Sequence, residues 1–483
     1  MTSVIRLAQK RRTSLMVQPH PPAVEPASVQ GPISDKSSED VYRSLLESID
    51  LGPDSGWTDF CIAECDEFIS RQLDEILHHP NFQRLESAWR GLKFLVDQTD
   101  FRQRVVIEVL DVSKGVLRQD FEDAPDVAHS GLFWQTYTQE YDTPGAHPFS
   151  AVISNFEFDH GPQDIALLRD ISKVAAAAHM PFIGAVSPQF FGKVSMEDVV
   201  SIRDIGDYFD RAEYLRWKSL RKSEDARYLG LTLPRFLARL PYDADTAPTR
   251  AFNYTENVGS DQRHYLWANA SFAFATNLVR SFVRNGWCVQ IRGPQAGGLV
   301  EALPTQLYDL GTGGLAKIPT QALIPEAREF EFAHLGLIPL SHYKNHDYAC
   351  FYSAHSVQRP ENFDTKEASA NSRVNARLPY IFLLSRIAHY LKLIQRENIG
   401  TTKDRRLLEL ELNSWVRTLV TEMTAPGDDL QASHPLRDAR VEVEDIEDNP
   451  GFFRVKLYIV PHFQIEGMDI NLALVSQMPK AKN

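Results

Sequence analysis

The clearest candidate for metal chemistry in this 483-residue sequence is a pair of histidines beside an acid, at His342, His346 and Asp347. Imidazoles four residues apart share one face of a helix, and together with a carboxylate they could bind a divalent metal ion. The surrounding residues, however, are more typical of a loop that leads into a strand. We therefore keep a soluble α/β metal-dependent enzyme that uses these three residues as the alternative hypothesis.

Motifs for nucleophilic catalysis and for phosphate binding are incomplete. Ser187 is preceded by Gly184-Ala-Val, but Pro188 follows it, and the second glycine of a nucleophile elbow is missing. Two glycine-rich stretches, 293–298 and 311–314, match neither a P-loop nor a dinucleotide-binding fingerprint. We interpret both as loops, and we predict no catalytic residue and no cofactor.

The cysteines and the charge balance restrict the class of protein further. Cys61, Cys65, Cys288 and Cys350 contain no C-x-x-C pair, which favours reduced core thiols in a cytoplasmic protein. Lys and Arg number 51 and Asp and Glu 64, so the net charge is −13, which argues against nonspecific binding to nucleic acid or to anionic lipid. The longest nearly apolar stretch, 174–186, is too short to cross a bilayer. We expect neither a nucleic-acid nor a membrane partner.

The elements that would position any site begin with a polar segment, 1–57. A basic tail is followed by a Pro- and Ser-rich stretch that predicts a flexible linker, and then by one short amphipathic helix, 41–49. A helical hairpin is predicted over 58–100. Its second helix is predicted to carry one apolar stripe, available to a core or to an interface, that comprises Phe82, Leu85, Trp89, Leu92 and Val96.

Residues 101–370 predict a mixed α/β region. Strands at 149–156 and 181–187 flank a helix at 164–179, an order that implies parallel strands joined by a right-handed crossover. A largely apolar helix that ends at Gly286 is expected to lie centrally. Further strands are predicted at 105–112, 287–291 and 347–354.

Residues 371–483 predict two helices followed by strands. Alternating apolar residues indicate a hairpin of 440–446 with 453–460 and a third strand at 468–475. On the solvent-exposed face of the hairpin, Glu442 or Glu444 would pair with Arg454 or Lys456. The other face is predicted as an interface, comprising Val441, Val443, Val455, Leu457, Ile459, Ile470, Leu472 and Leu474. Strands near a chain end can join another molecule's sheet, so this ending favours an assembly protein.

Several long segments resemble the large subunit of the type VI secretion system contractile sheath, known as the TssC, VipB or ImpC family. The segments are 76–96, 267–298, 318–351, 371–392 and 451–480. The resemblance implies a mixed α+β, phage tail sheath-like fold with a C-terminal inner domain rich in strands. It also implies a structural protein rather than an enzyme.

The same resemblance implies a set of partners. Members of the family form heterodimers with a small sheath subunit, and these stack as a helical sleeve around a tube of hexameric rings in the cytoplasm, anchored on a baseplate. Contraction of the sleeve drives the tube outward, while inner-layer strands near the C-terminus are shared between neighbouring protomers. A ClpV-type ATPase recycles such sheaths by binding an N-terminal helix, for which the candidate residues here are Val41, Leu45, Leu46 and Ile49.

Overall fold

The computed structural model describes residues 3–8, 55–249, 252, 254–259, 262–309, 315–343, 345–400, 404–421, 423, 426–445 and 453–462. The helix predicted at 41–49 and the strand predicted at 468–475 lie outside these residues. The α-helices are α1 (Ser55–Leu77), α2 (Pro80–Asp97), α3 (Lys114–Asp123), α4 (Pro162–Ala177), α5 (Met196–Val200), α6 (Ile205–Phe209), α7 (Leu215–Arg221), α8 (Ala270–Asn285), α9 (Glu326–His334), α10 (Lys366–Asn375), α11 (Leu378–Asn398), α12 (Arg405–Arg417) and α13 (Asp428–Ser433). A π-helix, Trp134–Asp142, lies between α3 and α4.

The strands are β1 (Ser3–Ala8), β2 (Val106–Asp111), β3 (Ala151–Phe158), β4 (Phe182–Val186), β5 (Leu229–Leu233), β6 (Phe236–Leu237), β7 (Trp267–Ala268), β8 (Leu299–Val300), β9 (Gln306–Asp309), β10 (Leu315–Ile318), β11 (Ile338–His342), β12 (Ala349–Phe351), β13 (Leu436–Asp445) and β14 (Phe453–Pro461). Eight of them form one sheet in the order β2-β1-β3-β4-β5-β11-β12-β8. The pairs β3–β4, β4–β5 and β5–β11 are parallel. The predicted β3–α4–β4 crossover is therefore confirmed.

Helices cover both faces of the large sheet. Neighbouring residues in β4 point to opposite sides: Phe182 joins the core that contains Trp217 of α7, whereas Ile183 joins the core that contains Phe272 of α8. Every residue of β4 and β5 is buried, as expected for parallel strands enclosed on both faces. The predicted central helix is α8, and its C-cap, Gly286, adopts a φ of +79° that suits glycine.

The segment 287–291 was predicted as a strand, and this prediction is wrong. Its backbone groups bind a side chain of α8 instead of a neighbouring strand: the Ser281 hydroxyl donates to the Trp287 carbonyl (2.7 Å) and accepts from the Gln290 N–H (3.2 Å). Strand pairing with β12 begins only at Leu299, after the glycine turn. The apolar residues of this segment are nonetheless largely buried, which explains why its composition is that of a strand.

Residues Ser3–Ala8 form a strand, although the sequence predicted them as part of a tethered tail. The strand β1 lies between β2 and β3 and pairs antiparallel with both. Such pairing needs only an extended backbone with free N–H and C=O groups, so a short apolar stretch within a basic segment suffices.

Candidate assembly interface

The C-terminal sheet consists of β13 and β14, as the alternating sequence predicted. They pair antiparallel, with Val441 opposite Leu457 and Val443 opposite Val455, and Ile459 follows on the same face. The structure therefore brings these predicted interface residues together. The other predicted site residues lie outside the described part of the chain: Ile470, Leu472, Leu474, Val41, Leu45, Leu46 and Ile49.

The opposite, wet face carries the predicted acid–base pairing. Glu442 lies across from Lys456 and Glu444 from Arg454. The ion pair that forms is diagonal, with Lys456 Nζ 2.5 Å from Glu444 Oε1, and this hydrogen bond raises the pKa of Lys456. Both side chains are exposed, so solvent screens the pair and its contribution to stability is small.

Helices α11 and α12 cover β13 much more fully than β14. Val441 and Val443 of β13 are buried in a core that includes Ile387 of α11 and Leu412 of α12. In β14, by contrast, the side chain of Val455 on the same face is 37% exposed. The apolar face of this sheet therefore extends beyond the helices that pack on it, and part of it is left to solvent by the described residues.

The outer edge of β13 is covered by side chains of α12. The Asn413 amide accepts from the Val441 N–H (2.9 Å) and donates to the Val441 carbonyl (2.7 Å), and Glu409 Oε2 accepts from the Val443 N–H (3.3 Å). Sequence reasoning missed both α12 residues. Glu409 and Asn413 are polar residues four apart and therefore lie on one helix face, and this spacing was the available signal.

The helical hairpin α1–α2 exposes apolar side chains of the stripe that the sequence predicted. Trp89 is 59% exposed, and Phe82 and Leu85 are also exposed. The buried face of α2 instead presents small residues, including Gly91, where an added Cβ would lie 2.4 Å from the Phe272 ring of α8. The helix is apolar on two sides, and the side with the small residues packs inward because it allows the closer approach to α8.

The first helix, α1, shows a similar exposed stripe. Ile62, Ile69 and Ile76, spaced seven residues apart, are 52%, 43% and 54% exposed. The prediction that Cys61 and Cys65 are core residues is wrong, because Cys65 is exposed and Cys61 only partly buried. A helix that shows apolar residues along its length needs a partner surface to bury them.

Ion pairs fix this hairpin to the loop that follows β6. Asp74 of α1 accepts a hydrogen bond from the Tyr254 hydroxyl. Arg239, itself buried, binds Glu256 at 2.5 Å and Glu86 of α2 at 2.9 Å. The exposed apolar stripes thus belong to helices that are held in place on their other side.

The residues of the metal hypothesis do not form a ligand set. His342 ends β11, whereas His346 and Asp347 lie in an exposed turn rather than on the same helix face. Burial lowers the pKa of His342 to about 4. Throughout the described residues, no group of three or more His, Cys, Asp or Glu side chains is arranged to hold a metal ion.

Charged side chains at the carboxyl ends of the parallel strands, where α/β enzymes usually bind ligands, pair with one another. Glu157 at the end of β3 forms a bidentate ion pair with Arg235, with both contacts at 2.5 Å. Buried Asp164, in the first turn of α4, binds Lys114 Nζ at 2.5 Å. These groups hold the ends of the strands and the adjacent helices together.

Of the other two cysteines, Cys350 is buried and Cys288 partly buried, and burial raises the pKa of both thiols to about 12. They are inert core thiols, as predicted. None of the described helices combines the length and the apolar character needed to span a membrane.

Comparison with protein families identifies the class. The model described as VipB, EvpB/VC_A0108, tail sheath N-terminal domain matches residues 59–358, and the model described as tail sheath gpW/gp25-like domain matches residues 367–478. These matches define a contractile tail sheath protein, which is a structural class and not an enzyme. The chain belongs to the VipB family of sheath proteins. It is 42% identical over 426 residues to the type VI secretion system sheath protein TssC1 of Pseudomonas aeruginosa, with 87% of this chain and 86% of that protein covered.

Solved sheath structures show a more distant likeness. The contracted sheath complex of PVC, an extracellular contractile injection system, is 8% identical with a TM-score of 0.35, covering 64% of this chain and 68% of that one. The contracted helical sheath of the anti-feeding prophage is 10% identical with a TM-score of 0.33, covering 74% and 85%. The metal-enzyme alternative has no counterpart among these relatives.

Proposed function

We propose that this chain is the large subunit of a type VI secretion sheath that assembles with a small sheath subunit in the bacterial cytoplasm. The heterodimers would stack on a baseplate as a sleeve around a tube of hexameric rings, and contraction of the sleeve would propel the tube. The identity to TssC1 over most of both chains supports this proposal.

The observation that carries the proposal is the incomplete cover of β14. Val455 is 37% exposed on the apolar face, and Leu457 and Ile459 are only partly buried beside it. A strand contributed by a neighbouring protomer would extend the sheet and cover these side chains. About four backbone hydrogen bonds at roughly 0.5 to 1.5 kcal/mol each would hold one such joint, and the joint is repeated at every lattice contact.

The small subunit would dock on the exposed stripes of α1 and α2. Ile62, Ile69 and Ile76 of α1 and Trp89 of α2 present apolar surface. The Arg239–Glu86 ion pair holds α2, and the hydrogen bond from Tyr254 to Asp74 holds α1. A helix of the small subunit laid along the stripe of α1 would bury isoleucines at heptad spacing, the pattern that helix pairing uses. The heterodimer would then form before any lattice contact does.

We further propose the division of labour that the sequence suggested. Residues 1–57 would be an N-terminal segment of basic tail, Pro-rich linker and the unfoldase-binding helix Val41–Ile49, and 58–100 would be the helical hairpin. Residues 101–370 would form the outer α/β region and 371–483 the inner domain for strand exchange. A ClpV-type ATPase would recycle the sheath through the first of these.

Co-expression with the small subunit tests the proposal. The chain alone should aggregate without order, whereas the pair should form hollow, striated tubes in negative-stain images. A well-behaved monomer that forms no tubes with its partner would refute the proposal.

The docking surface has its own test within that experiment. Ile69→Asp places a charge on the exposed stripe of α1 without disturbing the core, so it should abolish co-purification of the small subunit. Gln72→Asp adds the same charge at another exposed position of α1 and serves as the control. Equal recovery of the small subunit with both variants would contradict docking on the stripe.

A further inference from the structure

The outer edge of β13 has a side-chain acceptor for each backbone N–H that points outward between residues 439 and 443. Asp438 Oδ1 accepts from the Ala439 N–H at 2.9 Å, Asn413 Oδ1 from Val441 at 2.9 Å, and Glu409 Oε2 from Val443 at 3.3 Å. An edge strand normally offers such groups to any extended chain that approaches it. On β13 they are already in use.

Asn413 imitates a strand most closely. Its amide both accepts from the Val441 N–H and donates to the Val441 carbonyl, which is the pair of bonds that a neighbouring residue in an antiparallel sheet would make. The same Nδ2 also donates to the Glu409 carbonyl at 2.8 Å, so the amide is held on α12. Only an amide side chain supplies a donor and an acceptor in this geometry.

An incoming strand cannot displace this cap without moving the backbone of α12. The helix α12 is fixed by Leu412 and Val416, which are buried against β13 in the same core. A strand arriving at this edge would have to displace the whole helix. The edge is therefore blocked sterically as well as by occupied hydrogen bonds.

The outer edge of β14 is different. Since the Val441 N–H and C=O point towards α12, residues 440, 442 and 444 make the ladder bonds with 458, 456 and 454. The N–H and C=O groups of Val455, Leu457 and Ile459 then point away from β13. Among the described residues, no side chain covers them in the way that Asn413 covers Val441.

We propose that Asn413, assisted by Glu409 and Asp438, determines which edge of the C-terminal sheet accepts a strand. An extended segment of a neighbouring sheath subunit is then added at the edge of β14 and not at the edge of β13. This inference rests on the proposed function, because it assumes that strand addition joins the protomers. It goes beyond that function by naming the residues that set the direction of the joint.

The test compares Asn413→Leu with Ser414→Leu in the heterodimer with the small subunit. Leucine matches asparagine in shape but forms no hydrogen bond, and Ser414 is an exposed neighbour on α12 with no side-chain hydrogen bond to β13 among the described residues. In Asn413→Leu, amide hydrogen exchange at Val441 should speed up by as much as about tenfold, the factor expected for one lost hydrogen bond. Images of the assembled protein should then show branched or disordered aggregates in place of straight tubes, with β13 protected from exchange inside them.

Ser414→Leu should form straight tubes and show unchanged exchange at β13. Straight, unbranched tubes from Asn413→Leu with fast exchange at Val441 would overturn the inference, because an uncapped β13 would then still reject strands. If Asn413→Leu does not fold, Asn413→Ala replaces it, since it also removes both hydrogen bonds to Val441. If the unaltered heterodimer forms no tubes, the proposed function fails, and the inference is decided by whether the Asn413 variants self-associate through β13 more than the unaltered protein.

Discussion

The large central sheet and the small C-terminal sheet bury their residues to very different extents. In the central sheet, β4 and β5 are buried along their whole length between helices on both faces. In the C-terminal sheet, Val441 and Val443 on the apolar face of β13 are buried, whereas Val455 on the same face of β14 is 37% exposed. The central sheet is therefore covered on both faces, whereas the apolar face of the C-terminal sheet is fully covered on β13 only.

This contrast separates two uses of the same secondary structure. A parallel sheet with both faces covered contributes stability and a fixed shape, because its backbone groups and side chains are already satisfied. A strand with a half-covered face and an outward edge contributes the ability to join another chain. The proposed function needs both properties, and it assigns them to different parts of one chain.

A proline in β14 should produce the largest effect on assembly. The Leu457 N–H points to the outer edge, so Leu457→Pro removes a donor for an incoming strand and leaves the ladder to β13 intact. We expect this variant to abolish tubes in negative-stain images while the heterodimer still forms.

Two further variants make this prediction specific. Leu457→Val keeps the backbone N–H and should still allow tubes to form. Lys456→Pro removes a backbone donor to β13, so it should also open the hairpin, and fast hydrogen exchange in β13 would show this. Normal tubes from Leu457→Pro would show that the edge of β14 is not used.

Truncating a leucine in each sheet should separate stability from assembly. Leu231 of β5 is completely buried, so Leu231→Ala should lower the free energy of unfolding by about 2 to 5 kcal/mol. Leu457 is only partly buried, and Leu457→Ala should cost about 1 kcal/mol or less while reducing the yield of tubes. Denaturant unfolding of the two heterodimers checks the difference, and equal losses of stability would contradict the contrast between the sheets.

The elements that the sequence predicted well are those with a strong local pattern. The hairpin β13–β14 alternates apolar and charged residues at the period of a strand, and the helix α8 ends at a glycine that adopts the expected positive φ. The β3–α4–β4 unit followed from the order of its elements. In each case the information lies within a few neighbouring residues.

The predictions that failed or stayed open depended on distant contacts. An apolar stripe on α2 can face a core or an interface, and only the approach of Phe272 to Gly91 decides that the other face packs inward. The segment 287–291 has the composition of a strand, yet Ser281 takes its hydrogen bonds. The cap on β13 likewise joins residues 28 and 34 positions apart, which no local pattern reveals.

The contact between α11 in the C-terminal region and the central region should weaken in acid. His389 of α11 lies in the interior with Nε2 3.1 Å from the Ala178 carbonyl beyond α4, and its Nδ1 has no partner among the described residues. Burial lowers the pKa of His389 to about 3, with Arg386 and His179 acting in the same direction. The histidine therefore joins the C-terminal region to the central one as a neutral group.

The sign of the pH effect follows from the two states. In the unfolded chain this histidine has a pKa of about 6.5 and takes up a proton below that value, whereas in the folded chain it stays neutral until about pH 3. Acid therefore favours unfolding, by about 1.4 kcal/mol per pH unit and about 2 kcal/mol at pH 5. His389→Gln, which can still donate to Ala178, should flatten the fall in the unfolding midpoint between pH 7 and pH 5, while the exposed control His346→Gln should not. If the unfolding midpoint of His389→Gln falls with pH as steeply as that of the unaltered protein, the contact around His389 opens to water before the two regions unfold. The central and C-terminal regions would then be less firmly joined than their packing indicates.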